Sequence, residues 1–388
     1  RKSISLSKWN ITNPRKYRLG IYQWDNLGDS YRIQERYEDA INAYHRAIEL
    51  DPKFASPWYG LGNTYRNLGQ YDNACNSYEK AIELKPKFAY AWHNLGNTYS
   101  DLNQPADAIA AYQKAIELDS KDAFPWNGLG NIYNFLSQYD DARAAYQKAI
   151  ELDPKFPHPW NGLGSVYLDL NQTDQAITAY QKAIELDPKF APPWNSLGYV
   201  YSALNQYDNA RAAYQKACEL DPKFAPPWNG LGNIYRALNQ YDNARAAYQK
   251  ASELDPKNAI PWNGLGNVYC DLNQTDQAIA AYQKAIELPN CHGNPTNAHA
   301  LAWNGLGNVY RDLNQTDQAI IAYQKASELD PKYASPWNGL GNVYSALNQY
   351  DDARAAYQKA IELDPKFAHP WSGLGNVYRA LKQYEDTR

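Results

Sequence analysis

The residues WNGLGNVY occur at Trp262–Tyr269, Trp303–Tyr310 and Trp337–Tyr344, and as WNGLGNIY at Trp126–Tyr133 and Trp228–Tyr235. A G-x-G can cradle a pyrophosphate when it follows a strand and a third glycine opens a helix. Here Ile or Val and Tyr stand in that third place, as in Gly128-Leu129-Gly130-Asn131-Ile132-Tyr133, and no Walker-type lysine follows. The pattern argues against nucleotide binding. A second candidate is Cys270 with Cys291, His292 and His299, the last three within PNCHGNPTNAHALA. Adjacent Cys and His with one distant His do not match a compact tetrahedral zinc site. That stretch reads as an irregular loop insertion, with no metal and no cofactor. No serine, histidine and acid set recurs at catalytic spacing, so the chain reads as a non-enzyme.

The polar residues left to consider are the paired asparagines of WNGLGN: Asn127 with Asn131, Asn229 with Asn233, Asn263 with Asn267, Asn304 with Asn308, and Asn338 with Asn342. Members of a pair are four apart and share one helix face. An asparagine carries both a donor and an acceptor, so it can bond a peptide group whatever the side chain beside it. Stacked pairs would form a ladder for an extended segment of another protein. Copying of units during duplication would also produce the repetition.

The elements that carry these residues follow from a period. Trp24, Trp58, Trp92, Trp126, Trp160, Trp194, Trp228 and Trp262 are spaced 34 residues apart, and Trp303, Trp337 and Trp371 resume that spacing after one interval of 41. Such a period describes a quasi-linear stack whose units touch only their neighbours. Within one unit, Leu231, Tyr235 and Leu238, then Ala244, Tyr248, Ala251 and Leu254, fall at helical steps. Pro227 suits a first helical turn. Asn239 suits the left-handed residue that ends a helix, Asp242 is expected to cap the next one, and Asp255-Pro256 closes it.

Trp228, Leu231, Gly232, Tyr235, Ala244, Tyr248, Ala251 and Pro256 occupy the spacing of the tetratricopeptide repeat, which the chain resembles from about Tyr22 onward. The resemblance implies an all-α, right-handed superhelical solenoid of antiparallel helix pairs. Residues 1–21 read as a basic segment or linker, 22–370 as ten units with a seven-residue loop expansion near 289–302, and 371–388 as the first helix of an eleventh. It also implies that first helices line a concave groove, that the second glycine (Gly232) faces the small Ala244, and that the first (Gly230) lies on the inner surface. Packing is the favoured duty for both glycines.

In that geometry the freely varying positions also belong to the groove. One lies two before each Trp and includes Ser56, Tyr90, Phe124 and His158; the other lies eight after and includes Arg66, Arg236, Cys270 and Arg311. A similar asparagine ladder holds peptide backbone in the O-linked N-acetylglucosamine transferase family, but with Asn immediately before the leucine, where WNGLGN has Gly. The family's carboxylate clamp for chaperone tails needs lysines that are missing from the corresponding places.

Net charge is -4 and the pI is about 5.9, which offers little to a phosphate backbone, so nucleic acid is not an expected partner. No apolar run is long enough to span a membrane, and the four cysteines make no paired spacing. Cytoplasmic placement follows as an expectation, with an extracellular one if the chain forms filaments. The sequence contains no methionine, even at residue 1, which points to processing or excision from something longer. The eleventh half unit is expected to leave Leu374, Tyr378 and Leu381 as an open apolar face. Three functions are in view: a scaffold binding protein or peptide segments in the groove, a subunit that stacks head to tail into a homo-oligomer or filament, and the sensor arm of a larger signalling ATPase or kinase.

Overall fold

The computed structural model describes residues 19–289 and 298–386, with side chains described through residue 382. Among the described residues every regular element is a helix, from α1 (Ile21–Ile33) and α2 (Tyr37–Leu50) to α20 (Tyr350–Leu363) and α21 (Ala368–Asp386). They fall into two compact units, one ending at Pro188 and the other starting at Lys189. The first holds α1 to α10 and the second α11 to α21. Inside each, a helix packs on its hairpin partner, on the next helix, and, for first helices, on the first helix of the following repeat.

The turn inside each hairpin follows from its asparagine. In the repeat of α13 (Ala225–Ala237) and α14 (Tyr241–Leu254), Asn239 adopts φ 58, a left-handed conformation that Asn tolerates better than most residues. The amide of Gln240 then donates to Tyr235 O at 2.8 Å and that of Asn239 to Arg236 O at 2.9 Å, which satisfies carbonyls a helix end leaves open. Asn103, Asn171, Asn205, Asn273, Asn314 and Asn348 repeat the conformation. Asp242 departs from expectation. The N-cap is Gln240, without a side-chain cap bond, and Asp242 sits in the first turn, where it pairs with Arg245 at 2.8 Å. A carboxylate there still favours the positive end of the helix dipole.

Between repeats the chain turns at Asp-Pro-Lys-Phe. Asp221 Oδ1 accepts from the Lys223 amide at 3.0 Å, and the Phe224 amide donates to Asp221 O at 3.1 Å. The expanded connection lies between α16 (Thr275–Glu287) and α17 (Ala298–Asp312), and residues 290–297 within it are not described. Cys291 and His292 therefore lie outside the described residues. His299 Nε2 is 2.8 Å from Leu288 O and Cys270 Sγ 3.7 Å from Tyr282 Oη. No group of three or more His, Cys, Asp or Glu among the described residues is placed to hold a metal ion.

The core of each repeat is built around one tyrosine of its second helix. Tyr248 is 1% exposed and packs with Ala244, Leu265, Val268 and Ala281. The two glycines of WNGLGN make room for this ring. A Cβ on Gly232 would lie 2.5 Å from Tyr248 Cε1, and one on Gly264, in the next repeat, would also strike the ring. The same holds for Tyr282, where Cβ atoms on Gly266 and Gly305 would each lie 2.5 Å from it. Real Cβ atoms do not come this close. Packing is thus the duty of both glycines, and the atoms nearest a Cβ on Gly232 belong to Tyr248. Gly230 lies against Tyr214 of the preceding repeat rather than on an open floor. The aromatic ring fills the gap that the backbones leave.

Candidate functional site

The structure separates the two asparagines of each pair. The second is held by the buried tyrosine of its own repeat, fifteen residues later: Tyr146 Oη donates to Asn131 Oδ1 at 2.7 Å, Tyr248 to Asn233 at 2.6 Å, Tyr282 to Asn267 at 2.7 Å, Tyr323 to Asn308 at 2.8 Å and Tyr357 to Asn342 at 2.7 Å. A buried phenol needs such a partner. Oδ1 is committed, while the amide Nδ2 of each carries two N–H donors. Asn131 and Asn233 are exposed, and Asn267, Asn308 and Asn342 are half-buried. The amide plane is fixed by a buried group through Oδ1, and Nδ2 bonds no protein acceptor among the described residues.

The first asparagine is recessed. Asn127, Asn229 and Asn338 are half-buried, Asn263 is 6% exposed and Asn304 8%. The Oδ1 atoms of all five are buried without a protein partner. Asn263 Nδ2 donates to Ala259 O at 3.3 Å and to Ala298 O at 2.9 Å. The pairs therefore differ along the chain: the first amide is buried at Asn263 and Asn304 and held by backbone carbonyls at Asn263, whereas Asn127, Asn229 and Asn338 are as half-buried as Asn267, Asn308 and Asn342.

Two of the three variable arginines singled out join neighbouring repeats. Arg66 Nε donates to Asp101 Oδ2 at 2.8 Å and Arg236 Nε to Asp271 Oδ2 at 2.6 Å, each bond reaching the next repeat, whereas Arg311 pairs with its own neighbour Asp312 at 2.8 Å. Where the repeats of the first unit depart from WNGLGN, their first helices enclose a cleft of about 480 Å³. Asp29 and Arg32 of α1, Tyr59, Asn63 and Arg66 of α3 (Ala55–Asn67), and Asn94 of α5 (Ala89–Asp101) line it. Asn94 stands immediately before Leu95, in place of the first glycine, and donates to Tyr59 Oη at 2.9 Å and Asn63 Oδ1 at 2.8 Å. Asp29 accepts from Tyr44 at 2.8 Å, taking the part that Asn233 plays for Tyr248. These residues were readable as departures from the repeat, but sequence reasoning that attended to the commonest unit passed over Asp29, Arg32, Tyr59 and Asn94.

One turn beyond Asn94 lie exposed rings. Tyr90 is 59% exposed and Phe124, at the same place in the next repeat, 55%. Phe124 packs on Phe156 at a centroid distance of 4.8 Å and lies 6.2 Å from His93. Burial holds the His93 imidazole down at about 4, and Arg66 acts in the same direction. Burial likewise pushes the Asp25 carboxyl up, although Ser56 donates to it at 2.7 Å.

At the other end, Leu374 is buried against α20 with Tyr357 and Val377, and Leu381 packs on that cluster. Of the three residues expected to be open, Tyr378 is exposed (48%), and Trp371 (53%) is exposed with it. Leu374 and Leu381 face the stack because the turn between repeats lays α21 against α20.

The chain belongs to the tetratricopeptide repeat family. Family models for this repeat match residues 28–69, 62–103 and 130–171, and others match 89–122 and 111–144. The tetratricopeptide model described as the C-terminal domain of cilia and flagella-associated protein 70 matches 157–269 and 262–386. Among solved structures, yeast Tom70 is similar at a TM-score of 0.50 and 18% identity, over 94% of this chain and 96% of that one. Cut9–Hcn1, an APC/C hetero-tetramer, is similar at 0.52 and 16% identity, over 91% and 95%. These likenesses bear on the fold alone. No curated protein matches the chain. No helix among the described residues is long and apolar enough to cross a membrane.

Proposed function

We propose that this chain is a protein-interaction scaffold that holds extended segments of partner proteins along the exposed faces of its first helices. The observation that carries the reading is the tyrosine bond to the second asparagine. With Oδ1 of Asn233, Asn267, Asn308 and Asn342 committed, the Nδ2 N–H groups are preorganised donors for peptide carbonyls. Such donors recognise backbone and leave side-chain selection to their neighbours. The fold supports the reading further, since Cut9, which shares it, occurs in a hetero-tetramer with Hcn1.

Replacing these asparagines by alanine would confound binding with stability, because the buried phenols would lose their acceptor. Aspartate avoids this. Asp29 already accepts from Tyr44 at 2.8 Å in this chain, so Asn→Asp keeps the acceptor and removes the Nδ2 donors. The combined variant Asn233→Asp, Asn267→Asp, Asn308→Asp and Asn342→Asp is expected to melt close to the parent and to retain at least tenfold less of an array of ten-residue peptides with blocked ends. Unchanged retention by a folded variant would overturn the reading.

A further inference from the structure

The cleft in the first unit has a chemistry that the copied repeats lack. Its charged lining is two guanidiniums, Arg32 and Arg66, and one carboxylate, Asp29. Donors are in surplus. Asn63 Oδ1 already accepts from Tyr78 and Asn94, and Asp29 Oδ1 from Tyr44 and Arg32. Each arginine has five N–H donors. Arg32 donates to Asp29 only at 3.5 Å, the long end of the range, and its Nε is buried without a partner, while Arg66 gives its Nε to Asp101. Both cations line the same cleft as Tyr78, Arg32 from α1 and Arg66 from α3. Their side chains are only 27% and 35% exposed, and a partly desolvated guanidinium attracts a carboxylate more strongly than one in water. The acids nearby are already engaged: Asp25 accepts from Ser56 and Asp101 from Arg66.

We infer that this cleft seats an acidic side chain of a bound protein segment, its carboxylate between Arg32 and Arg66, with an apolar residue further along the segment resting on Tyr90 and Phe124. The inference rests on the groove reading above and adds the composition of the partner. Asn94 and Tyr90 are four apart on α5 and share a face, so a segment leaving the cleft along α5 meets the exposed ring of Tyr90 first. Arginine suits the task because its planar fork matches a carboxylate with two parallel bonds.

The test uses the full chain and an array of amidated ten-residue peptides in which one position is fixed in turn as Asp, Glu, phosphoserine, Lys or Ala. The parent is expected to retain Asp or Glu peptides at least tenfold over Ala and Lys peptides, most strongly where Leu or Phe follows. Arg32→Gln with Arg66→Gln should abolish that preference, and Arg32→Lys with Arg66→Lys should recover part of it, which separates loss of charge from loss of fold. Retention without acidic preference, preference confined to phosphoserine, or preference unaffected by the Gln pair would overturn this inference and leave the groove reading standing. If the parent retains no peptide at all, both fail. Retention that appears only when the carboxyl terminus is left free would also overturn it, since the terminal group and not a side chain would then be the ligand.

Discussion

The repeats of residues 189–388 and those of residues 1–188 solve one packing problem with different freedom. In the second unit the acceptor for the buried tyrosine is an asparagine at Asn233, Asn267, Asn308 and Asn342. In the first unit Asp29, Asn63, Asn97 and Asn131 do the same work at 2.7 to 2.8 Å, and Ser165 lies 3.3 Å from Tyr180 Oη. What most repeats of both units share is a polar atom for a phenol that cannot reach water, with Tyr199 standing at that place before Tyr214. What varies is what lies around it: Arg32, Tyr59 and His93 in the earliest repeats, recurring Asn and Gly from Trp126 onward. Even the core shows this, since Thr64 and Thr98 occupy places where later repeats have Ile234 or Val268, each hydroxyl donating at 2.8 Å to a carbonyl of its own helix. Repetition here marks the packing device.

The strongest way to break this comparison is to remove a tyrosine. Tyr248→Ala should cost about 3–5 kcal/mol in urea denaturation, the range for deleting a buried aromatic ring. Gly232→Ala in the parent should destabilise by about 1–3 kcal/mol through overpacking, less the gain of about 1 kcal/mol in helix propensity. In the Tyr248→Ala background the same change should become stabilising. A double-mutant cycle in which Gly232→Ala has the same sign in both backgrounds would contradict the shared slot.

Smaller effects sharpen the comparison. Tyr248→Phe keeps the ring and loses its bond to Asn233, for an expected cost of about 1 kcal/mol. The acidic side of the pH profile should distinguish the first unit through His93, whose Nε2 lies 3.0 Å from Asn97 Nδ2. Its folded pKa of about 4 is below the ordinary 6.5, so in that interval the unfolded chain binds the extra proton. Stability from the neutral imidazole is full above about pH 6.5 and is lost as pH falls toward 4. His93→Asn, the residue at the matching place in α7 (Ala123–Phe135), should flatten that slope in urea midpoints measured between pH 7 and pH 5. Smallest of all, Arg236→Ala should cost under about 1 kcal/mol and less in high salt, because the pair with Asp271 is 40% and 27% exposed.

Much of the fold was legible because its signals are local. The tryptophan period, the steps from Leu231 to Leu238 and the turn residue Asn239 each report on a few neighbouring residues, and each recurs. The tyrosine slot was harder to read because it joins three helices: Gly232 on one, Tyr248 on its partner and Gly264 on the next repeat. A constant offset linked them in the sequence, with Tyr146, Tyr248 and Tyr357 each fifteen residues after an asparagine, but offset alone does not say which way a ring points. The same limit explains the asparagines. Sharing a helix face put Asn263 and Asn267 together, yet the fold buries the first and leaves the second half-buried. Leu374 was hard to place for a related reason, since its helical spacing did not show that α20 covers it.

The most direct measurement is a side-chain amide nitrogen–hydrogen correlation spectrum of the full chain, titrated with a peptide that the array retains. The Nδ2 signals of Asn233, Asn267, Asn308 and Asn342 are expected to shift in proportion to occupancy, while those of the turn residues Asn239 and Asn348 stay in place. Saturable binding that leaves all four amides unmoved would contradict the role assigned to them.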